Sequence, residues 1–573
     1  MADHPDGPAL VLGPLLRHVS ERGATVWVET DRACKVEVLA TSSPTFAVGG
    51  HHYGLVDLSG LEPGTSTPYE VRLDGRPVWP DPGSGLPPSV IRTLRPDARL
   101  RLAFGSCRVA APHGEPWSSL RDDHPEGHGA DALHAYGLRM AGADHADWPD
   151  ALMLLGDQVY ADDASPRTRE RIAARRDTAE PPGEDIADFE EFTWLYQEAW
   201  SSPVVRWVLS TVPTAMIFDD HDMTDDWNIS ASWVAEQRRD PHWEAHVVGG
   251  LMAYWLYQHL GNLSAADRAG HELLAEVRAA GDGEEVLRRW ATDADGGTGG
   301  PDGRRWSFSR DLGPARLVVI DVRNGRLLEP GDRWLVGHTE WDWVRDEAQR
   351  GGVDHVLLAT SLPFLLPEGV HHLERWDEKL CDGAWGRPGR WLGEKIRRSV
   401  DLEHWAAFGR SFDAMADLVR SVAAGGAEAE GNDGDRAAPA TVCVLSGDVH
   451  FSYVAPVDTD DASGRIYQLV SSPLRNAVQH AVRRAHRFSV SRGGSVVGRL
   501  LLRTVPVDEP ALSWDVAAGP YFGNGISTLE IDGRDARVTF ERALPGRDER
   551  PELSLVFAYD LDAGQLVAAP EDP

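Results

Sequence analysis

The chain has 573 residues, of which 42% are hydrophobic and 26% charged, a composition that excludes an intrinsically disordered protein. Its length exceeds that of one ordinary domain, so we expect at least two folding units. With 57 Lys and Arg against 90 Asp and Glu, the net charge is −33, which disfavours stable binding to nucleic acids and to anionic membranes.

Cysteine content and hydropathy indicate the cellular compartment in which the protein is expected. The four cysteines, Cys34, Cys107, Cys381 and Cys443, are widely spaced, so neither a disulfide framework nor a zinc ribbon is indicated. No basic segment followed by an apolar run opens the sequence, and no apolar stretch approaches the roughly 18 residues that span a bilayer. We therefore expect a cytoplasmic protein, and the sequence does not indicate its oligomeric state.

The first 96 residues contain short alternating segments at 24–30 and 35–39, as in half-buried strands. The Leu-x-Pro-x-Thr-x-x-x-Tyr pattern of residues 61–69 resembles the strand-turn-strand corner of fibronectin-type sandwiches, and residues 69–73 and 90–94 complete the predicted strands. We predict a small fibronectin-like β-sandwich at residues 1–96 and a second domain at 97–573.

Beyond residue 100, short apolar runs end in small or polar clusters. Runs of this length, apolar on both faces, suit strands of a sheet that is covered on both sides. They span residues 102–104, 151–155, 215–218, 317–320, 356–359 and 441–445. Between them lie helical patterns at residues 189–209, 243–260, 340–349 and 402–422, and a hairpin at 526–541 follows. This alternation predicts an α/β layered domain.

Two segments read as insertions into that domain. Residues 279–304 are rich in Gly and Asp, and we expect them to form an excursion on the surface. Residues 423–440 are acidic and of low complexity, which predicts a mobile loop.

The residues that follow the predicted strands carry the chemistry. Asp157 follows one strand, Asp219-Asp220-His221-Asp222 follow another, and Asp448 and His450 follow a third. Ligands bind at the carboxyl ends of strands in open α/β sheets, so these side chains are expected to converge. Gathering so many carboxylates without cations costs several kcal/mol, which predicts bound metal.

Four motifs in the same order resemble the PhoD-like alkaline phosphatase family of calcineurin-like metallophosphoesterases. The motifs are FGSCR (104–108), GDQVYAD (156–162), FDDHDMTDDWN (218–228) and SGDVHFS (446–452), and Asp321 and Arg323 fit a weaker fifth motif. The resemblance covers about residues 10–545 and implies a four-layer α/β/β/α metallophosphoesterase domain preceded by the β-sandwich. It also implies metal-dependent hydrolysis of phosphomonoesters or phosphodiesters by a metal-activated hydroxide.

The resemblance implies a role for each matching residue. Cys107, Tyr160 and His450 would bind Fe(III), Asp157 would bridge two metals, and Asp220 and Asp448 would bind a second metal, Ca(II). Mg, Mn or Zn are alternatives, and Asp225 or Asp226 is a candidate further ligand.

The remaining assignments concern the substrate, which would be a small phosphate ester. His221 would contact the phosphate and protonate the leaving alkoxide, oriented by Asp222, and Arg108 would bind a phosphate oxygen. Alternatives stay open: Arg108 forming a salt bridge to Asp157 or Asp220, and Cys107 or Tyr160 as core residues. The other function considered is a non-catalytic phospho-ligand-binding or adhesion module built on the β-sandwich.

Overall fold

The computed structural model describes residues 7–296, 305–329, 331–425, 438–458, 464–477, 483, 487, 491–507, 510–547 and 550–568. Most of the predicted mobile loop at 423–440 and the end of the segment 279–304 lie outside these residues. In the described parts of the chain, no helix is both long and apolar enough to cross a membrane.

The N-terminal part is built from short antiparallel strands. They are β1 (Leu10–Val19), β2 (Gly23–Thr30), β3 (Lys35–Val38), β4 (Thr41–Pro44), β5 (Phe46–Val48), β6 (His51–Ser59), β7 (Ser66–Pro68), β8 (Val71–Leu73), β9 (Arg76–Trp79) and β10 (Val90–Arg92). The sheets have the orders β1-β2-β6-β5, β4-β3-β8-β9 and β10-β7. Alternate side chains such as Val26, Val36, Val56 and Val71 form one buried core between the sheets, which confirms the predicted β-sandwich.

The sandwich is bound to the following part of the chain through buried contacts. Tyr69, from the predicted corner, lies before β8 and donates its hydroxyl hydrogen to the Ser210 carbonyl at 2.6 Å. The Trp27 indole N–H donates to the Leu256 carbonyl at 3.1 Å. Arg17, fully buried, donates to the Gln258 carbonyl at 2.6 Å. The boundary at residue 96 stays a prediction, because residues on both sides of it share a core.

Two seven-stranded mixed sheets form the centre of the second part. Their strands are β11 (Leu100–Gly105), β12 (Ala151–Leu154), β13 (Thr214–Met216), β14 (Phe308–Leu312), β15 (Ala315–Ile320), β16 (His355–Thr360), β17 (Thr441–Ser446), β18 (Ser452–Pro456), β19 (Arg465–Val470), β20 (Ala518–Tyr521), β21 (Gly525–Asp532), β22 (Asp535–Leu544), β23 (Glu552–Asp560) and β24 (Gln565–Ala568). The orders are β13-β12-β11-β21-β22-β23-β24 and β14-β15-β16-β17-β19-β18-β20. All six predicted runs and the predicted hairpin (β21 and β22) are strands.

Helices cover the outer face of each sheet. They are α1 (Ala132–Ala141), α2 (Pro166–Arg175), α3 (Phe189–Trp200), α4 (Pro203–Thr211), α5 (Ala231–Gln237), α6 (Trp243–Tyr254), α7 (Leu260–Asn262), α8 (Ala265–Ala269), α9 (Glu272–Ala279), α10 (Glu284–Gly296), α11 (His338–Ala348), α12 (Glu368–Cys381), α13 (Gly386–Arg397), α14 (Gly409–Ala423) and α15 (Arg492–Leu502). A π-helical turn, Trp255–His259, joins α6 to α7.

Strand alternation produces the four layers. In β16, Leu357 and Ala359 pack in the core between the two sheets, whereas Val356 and Leu358 pack against the helical layer outside. In β11, Leu102 faces the other sheet and Ala103 faces the opposite helical layer. The predicted α/β/β/α arrangement is therefore confirmed.

Three predicted segments differ from the structure. The pattern at 189–209 is two helices, because Pro203 lacks the N–H that would continue α3 and instead starts α4. The helix predicted at 402–422 begins only at Gly409. The predicted excursion at 279–304 contains α10, whose Leu287 and Ala291 are fully buried, so the expectation of a surface excursion was wrong. The i,i+4 spacing of these two residues was the overlooked signal.

His51 connects the sandwich to the helical layer electrostatically. Its Nδ1 lies 2.8 Å from Oε1 of the buried Glu29, and its Nε2 lies 2.8 Å from Oε2 of Glu190 on α3. Burial alone would lower the pKa of the imidazole, but the two carboxylates outweigh it and raise the pKa to about 9. The folded protein therefore favours a charged imidazolium at this position.

We predict that this contact makes stability depend on pH. Because the folded pKa of about 9 exceeds the ordinary value of 6.5, the stabilisation is complete below pH 6.5 and lost as the pH rises through 9. In urea unfolding, the cost of His51→Gln should shrink by about 2 kcal/mol between pH 6.5 and 9.5. His52→Gln is the control, and a cost for His51→Gln that stayed constant with pH would contradict the prediction.

Candidate active site

The backbone turns sharply where β11, β12 and β17 end. Cys107, Asp157, Asp448 and His450 all have positive φ angles, of 56°, 51°, 63° and 56°. Residues other than glycine rarely adopt this left-handed conformation, and such local strain is concentrated at functional sites. These turns direct the four side chains towards one region at the edge of the sheets.

The first cluster joins four of the predicted ligands. The Sγ atom of Cys107, a carboxylate oxygen of Asp157 and a ring nitrogen of His450 lie within 4.8 Å of one another. The Tyr160 hydroxyl lies 3.2 Å from Oδ2 of Asp157 and accepts a hydrogen bond from Nδ2 of Asn476 at 3.0 Å. Oδ1 of Asp157 is buried and has no hydrogen-bond partner among the described residues. The cluster therefore has the donors and the unused acceptor that a metal ion requires.

The electrostatics of this cluster also favour a cation. Burial raises the pKa of the Cys107 thiol, the Asp157 carboxyl and the Tyr160 phenol well above their ordinary values. The Asp157 carboxylate adds to the increase for both neighbours, because like charges repel at short range. All three groups ionise together only beside a positive charge, and thiolate, phenolate and imidazole are ligands typical of a transition metal.

The predicted second metal site contains an arginine. Carboxylate oxygens of Asp219, Asp220 and Asp448 lie within 4.8 Å of one another. The NH2 nitrogen of Arg323 lies 3.1 Å from Oδ1 of Asp220 and 3.2 Å from Oδ1 of Asp448, and its Nε donates to Asp219 at 2.5 Å. This guanidinium already neutralises much of the negative carboxylate charge that a second metal ion was expected to balance.

Two further sets of metal-ligating groups share His221, and in one of them a ring nitrogen of His221 and carboxylate oxygens of Asp162 and Asp225 lie within 4.8 Å of one another. Carboxylate oxygens of Asp157 and Asp220 and a ring nitrogen of His221 also lie within 4.8 Å of one another. The backbone N–H of Asp226 donates to Oδ2 of Asp220 at 3.3 Å.

Sequence reasoning missed two further residues of the site. Nε2 of His404 lies 3.1 Å from Oδ2 of Asp448, and its Nδ1 lies 2.6 Å from Oε1 of the buried Glu374. Oε1 of Glu403 forms an ion pair with NH1 of Arg323 at 2.6 Å. Both residues fall inside the segment predicted as a helix at 402–422, ahead of the helix that begins at Gly409. Arg323 could have been identified as a site residue from the sequence, since it belongs to the fifth motif.

His221 is held by a carboxylate that was not predicted. Its Nδ1 lies 2.8 Å from Oδ2 of Asp162, and its ring centroid lies 4.7 Å from that of Tyr160. Burial would lower the pKa of His221, but the carboxylates of Asp157 and Asp162 keep that pKa well above its ordinary value. The charged imidazolium is therefore favoured, and its Nε2 is the ring nitrogen not bonded to Asp162.

Asp222 does not orient His221, contrary to the expectation from the sequence. Its Oδ1 accepts hydrogen bonds from the backbone N–H groups of Gln158 and Val159 at 2.9 and 3.1 Å, and from Gln258 at 3.2 Å. Its Oδ2 accepts from the Asp219 N–H at 3.1 Å. Asp222 therefore positions the loop that carries Asp157, and Asp162 takes the orienting position.

Arg108 also lies in an unexpected environment. Its Nε and NH2 donate to Oδ2 of Asp131 at 3.1 and 2.7 Å, and its NH1 donates to the Ala199 carbonyl at 2.8 Å. The residue is only 6% exposed. These bonds direct the guanidinium towards Asp131 and Ala199, so a phosphate contact would have to use the two N–H groups that the bonds leave over.

Comparisons with known proteins agree with this arrangement. Residues 131–492 match the family model described as PhoD-like phosphatase, and residues 7–91 match a domain of unknown function, DUF7800. The matched segment includes Asp157, Tyr160, Asp220, Asp448 and His450, whereas Cys107 precedes it. Among curated proteins, no match is found.

The solved structure with the higher TM-score of the two below supports the same fold. A structure described as PhoD shares 14% identity with this chain at a TM-score of 0.58, over 100% of this chain and 94% of that one. Purple acid phosphatase PPD1 from yellow lupin (Lupinus luteus) seeds has 9% identity and a TM-score of 0.45, over 98% of this chain and 74% of that one.

The contacts of Arg108 predict a structural role that a double-mutant cycle can measure. Removing one partner of a buried ion pair leaves the other charge uncompensated, so Arg108→Met and Asp131→Asn should each cost about 3–5 kcal/mol of unfolding free energy. The double variant should cost clearly less than the sum of the two. Full additivity, together with a KM for phosphate esters raised only by Arg108→Met, would instead indicate a substrate contact.

Proposed function

Because the chain belongs to the PhoD-like phosphatase family, we propose that it hydrolyses phosphate esters at the strand ends of β11, β12 and β17. The observation that carries this proposal is the convergence of Cys107, Asp157 and His450 within 4.8 Å at these ends. Membership of a phosphatase family indicates an enzyme, so it does not support the alternative of a non-catalytic phospho-ligand-binding or adhesion module. The cytoplasmic location stays a prediction.

We assign the residues of the metal centre as follows. Cys107, Asp157, Tyr160 and His450 would hold one ion, for which Fe(III) suits the thiolate and phenolate donors. Asp157, Asp220 and Asp448 would hold a second ion, either Ca(II) or Mg, Mn or Zn. When bound, such ions polarise phosphoryl oxygens and lower the pKa of water.

The protein's own groups would move the proton. The His221 imidazolium, kept charged by Asp157 and Asp162, would donate its Nε2 proton to the departing ester oxygen. Asp162 would keep Nδ1 protonated and fix the ring orientation. Both monoesters and diesters present such a leaving oxygen, so this arrangement serves either class.

The metal assignment predicts a joint loss of metal and activity. Asp157→Asn should lower the metal content of protein purified without added metal, and reduce turnover of p-nitrophenyl phosphate by at least about 1,000-fold. If the ion is ferric, a visible tyrosinate-to-iron absorption band should be present and should disappear in Tyr160→Phe. Asp177→Asn, at an exposed loop carboxylate, is the control. Full activity of Asp157→Asn would refute the assignment.

The proton-donor assignment predicts a dependence on the leaving group. His221→Asn should keep its metals and reduce kcat for ethyl phosphate by about 100-fold or more, because an alkoxide needs a proton to depart. The loss for p-nitrophenyl phosphate should be at least about 10-fold smaller, because nitrophenolate departs unprotonated. Asp162→Asn should show the same pattern in weaker form. Equal losses for both esters would show that the residue only supports the structure.

A further inference from the structure

A cavity of about 660 Å³ lies beside the candidate active site. The loop at residues 109–128 forms one wall, and the start of α2 and the end of α3 form the opposite wall. Tyr160 contributes to its lining. A volume of this size is typical of pockets that bind organic ligands.

Tyr160 joins this cavity to the proposed chemistry. Its hydroxyl lies 3.2 Å from Oδ2 of Asp157, and its ring lies beside that of His221 with centroids 4.7 Å apart. An ester oxygen protonated by His221 therefore lies next to the ring that borders the cavity. The organic group attached to that oxygen has to extend away from the ions, and Tyr160 belongs both to this region and to the lining of the cavity.

The lining indicates the chemistry of that organic group. Trp117, Pro112, Pro125, Leu195 and Ala199 provide apolar surface, including one aromatic face suited to stacking. Such walls favour a ring-bearing group over a small or strongly hydrated one.

The charges in the lining are nearly balanced. Three arginines and four acidic residues contribute to it, and Arg121 and Arg169 both approach Asp163, at 3.6 and 3.1 Å. Two of the three arginines therefore have a carboxylate partner, and the lining contains one more acidic residue than arginines, which disfavours a second anionic group.

We propose that this cavity binds the alcohol portion of the substrate, and that the substrates are phosphate esters of bulky, ring-bearing, largely uncharged alcohols. The inference rests on the proposed function for the position of the phosphate. It adds Trp117 and the neighbouring apolar walls as determinants of specificity.

Binding and turnover together test the cavity. The binding probes are naphthylmethylphosphonate and ethylphosphonate, which share one anionic head and differ in the organic group, and the substrates are the corresponding phosphates. Ser201 lines the cavity and is exposed, so Ser201→Trp should fill it without disturbing the core. Trp117→Ala removes the aromatic wall. Ser399→Trp is the matched control, because both serines are exposed and donate to the carbonyl four residues earlier, Gln197 or Lys395.

We expect the wild-type enzyme to bind the naphthylmethyl probe at least about 10-fold more tightly than the ethyl probe, from the apolar area buried. Ser201→Trp should reduce this preference to less than about 2-fold, Trp117→Ala should weaken it about 3-fold or more, and Ser399→Trp should keep it. The ratio of kcat/KM for the two phosphates should follow the same order.

The outcomes separate this proposal from the proposed function. Turnover of both esters without a preference in the wild type, or a preference that survives in Ser201→Trp, would overturn the cavity proposal and leave hydrolysis standing. A binding preference that Ser201→Trp abolishes, without turnover of either ester, would support the cavity and contradict the hydrolysis.

Discussion

Mutual repulsion among buried acidic groups is the constraint that the catalytic part of this protein has to satisfy. Asp157, Asp219 and Asp220 are buried, and they meet the partly exposed Asp448 at the ends of strands. Such a set is stable only with compensating positive charge. The protein supplies part of that charge permanently through Arg323, which has no solvent exposure and contacts three of these carboxylates.

The two halves of the site are compensated differently. Around Arg323, Glu403 and the pair His404–Glu374 extend the compensation into a network of buried charges. Around Cys107 and Asp157, the buried Oδ1 of Asp157 has no hydrogen-bond partner in the described part of the chain, so there an ion would provide the charge. In one half of the site Arg323 therefore balances the carboxylates, whereas in the other half a bound metal ion would balance them.

The sequence predicted the fold well because the fold follows from local patterns. Short apolar runs such as 356–359 had to be strands covered on both faces, and polar residues after them had to lie at one edge of the sheet. Asp157 and His450 were candidates because polar residues follow two predicted strands, whereas Cys107 was assigned from the family resemblance, and metal binding by all three stays a prediction. These residues cluster because the ends of their strands lie at the same edge of the sheets, as the order of the motifs indicated.

The partners of those residues could not be predicted in the same way. Whether Asp162 or Asp222 holds His221 depends on the turn of the chain after β13, where Asp222 is used by backbone N–H groups of a neighbouring loop. Arg108 was assigned from its position beside Cys107, but its orientation depends on Asp131, which lies on a separate segment. His404 lies in the segment that precedes α14, where no hydrophobic periodicity in the sequence predicts the path of the chain.

The buried contacts of Arg17 carry a consequence for the architecture. This side chain leaves β1 of the sandwich, reaches the Gln258 carbonyl in the π-helical turn and approaches Sδ of Met216 at 2.8 Å, at the end of β13. Gln258 in turn donates to Asp222, which positions the loop of Asp157. The sandwich thus supports the loop that carries Asp157 through these contacts. A truncated chain without the sandwich would lose that support of the candidate active site.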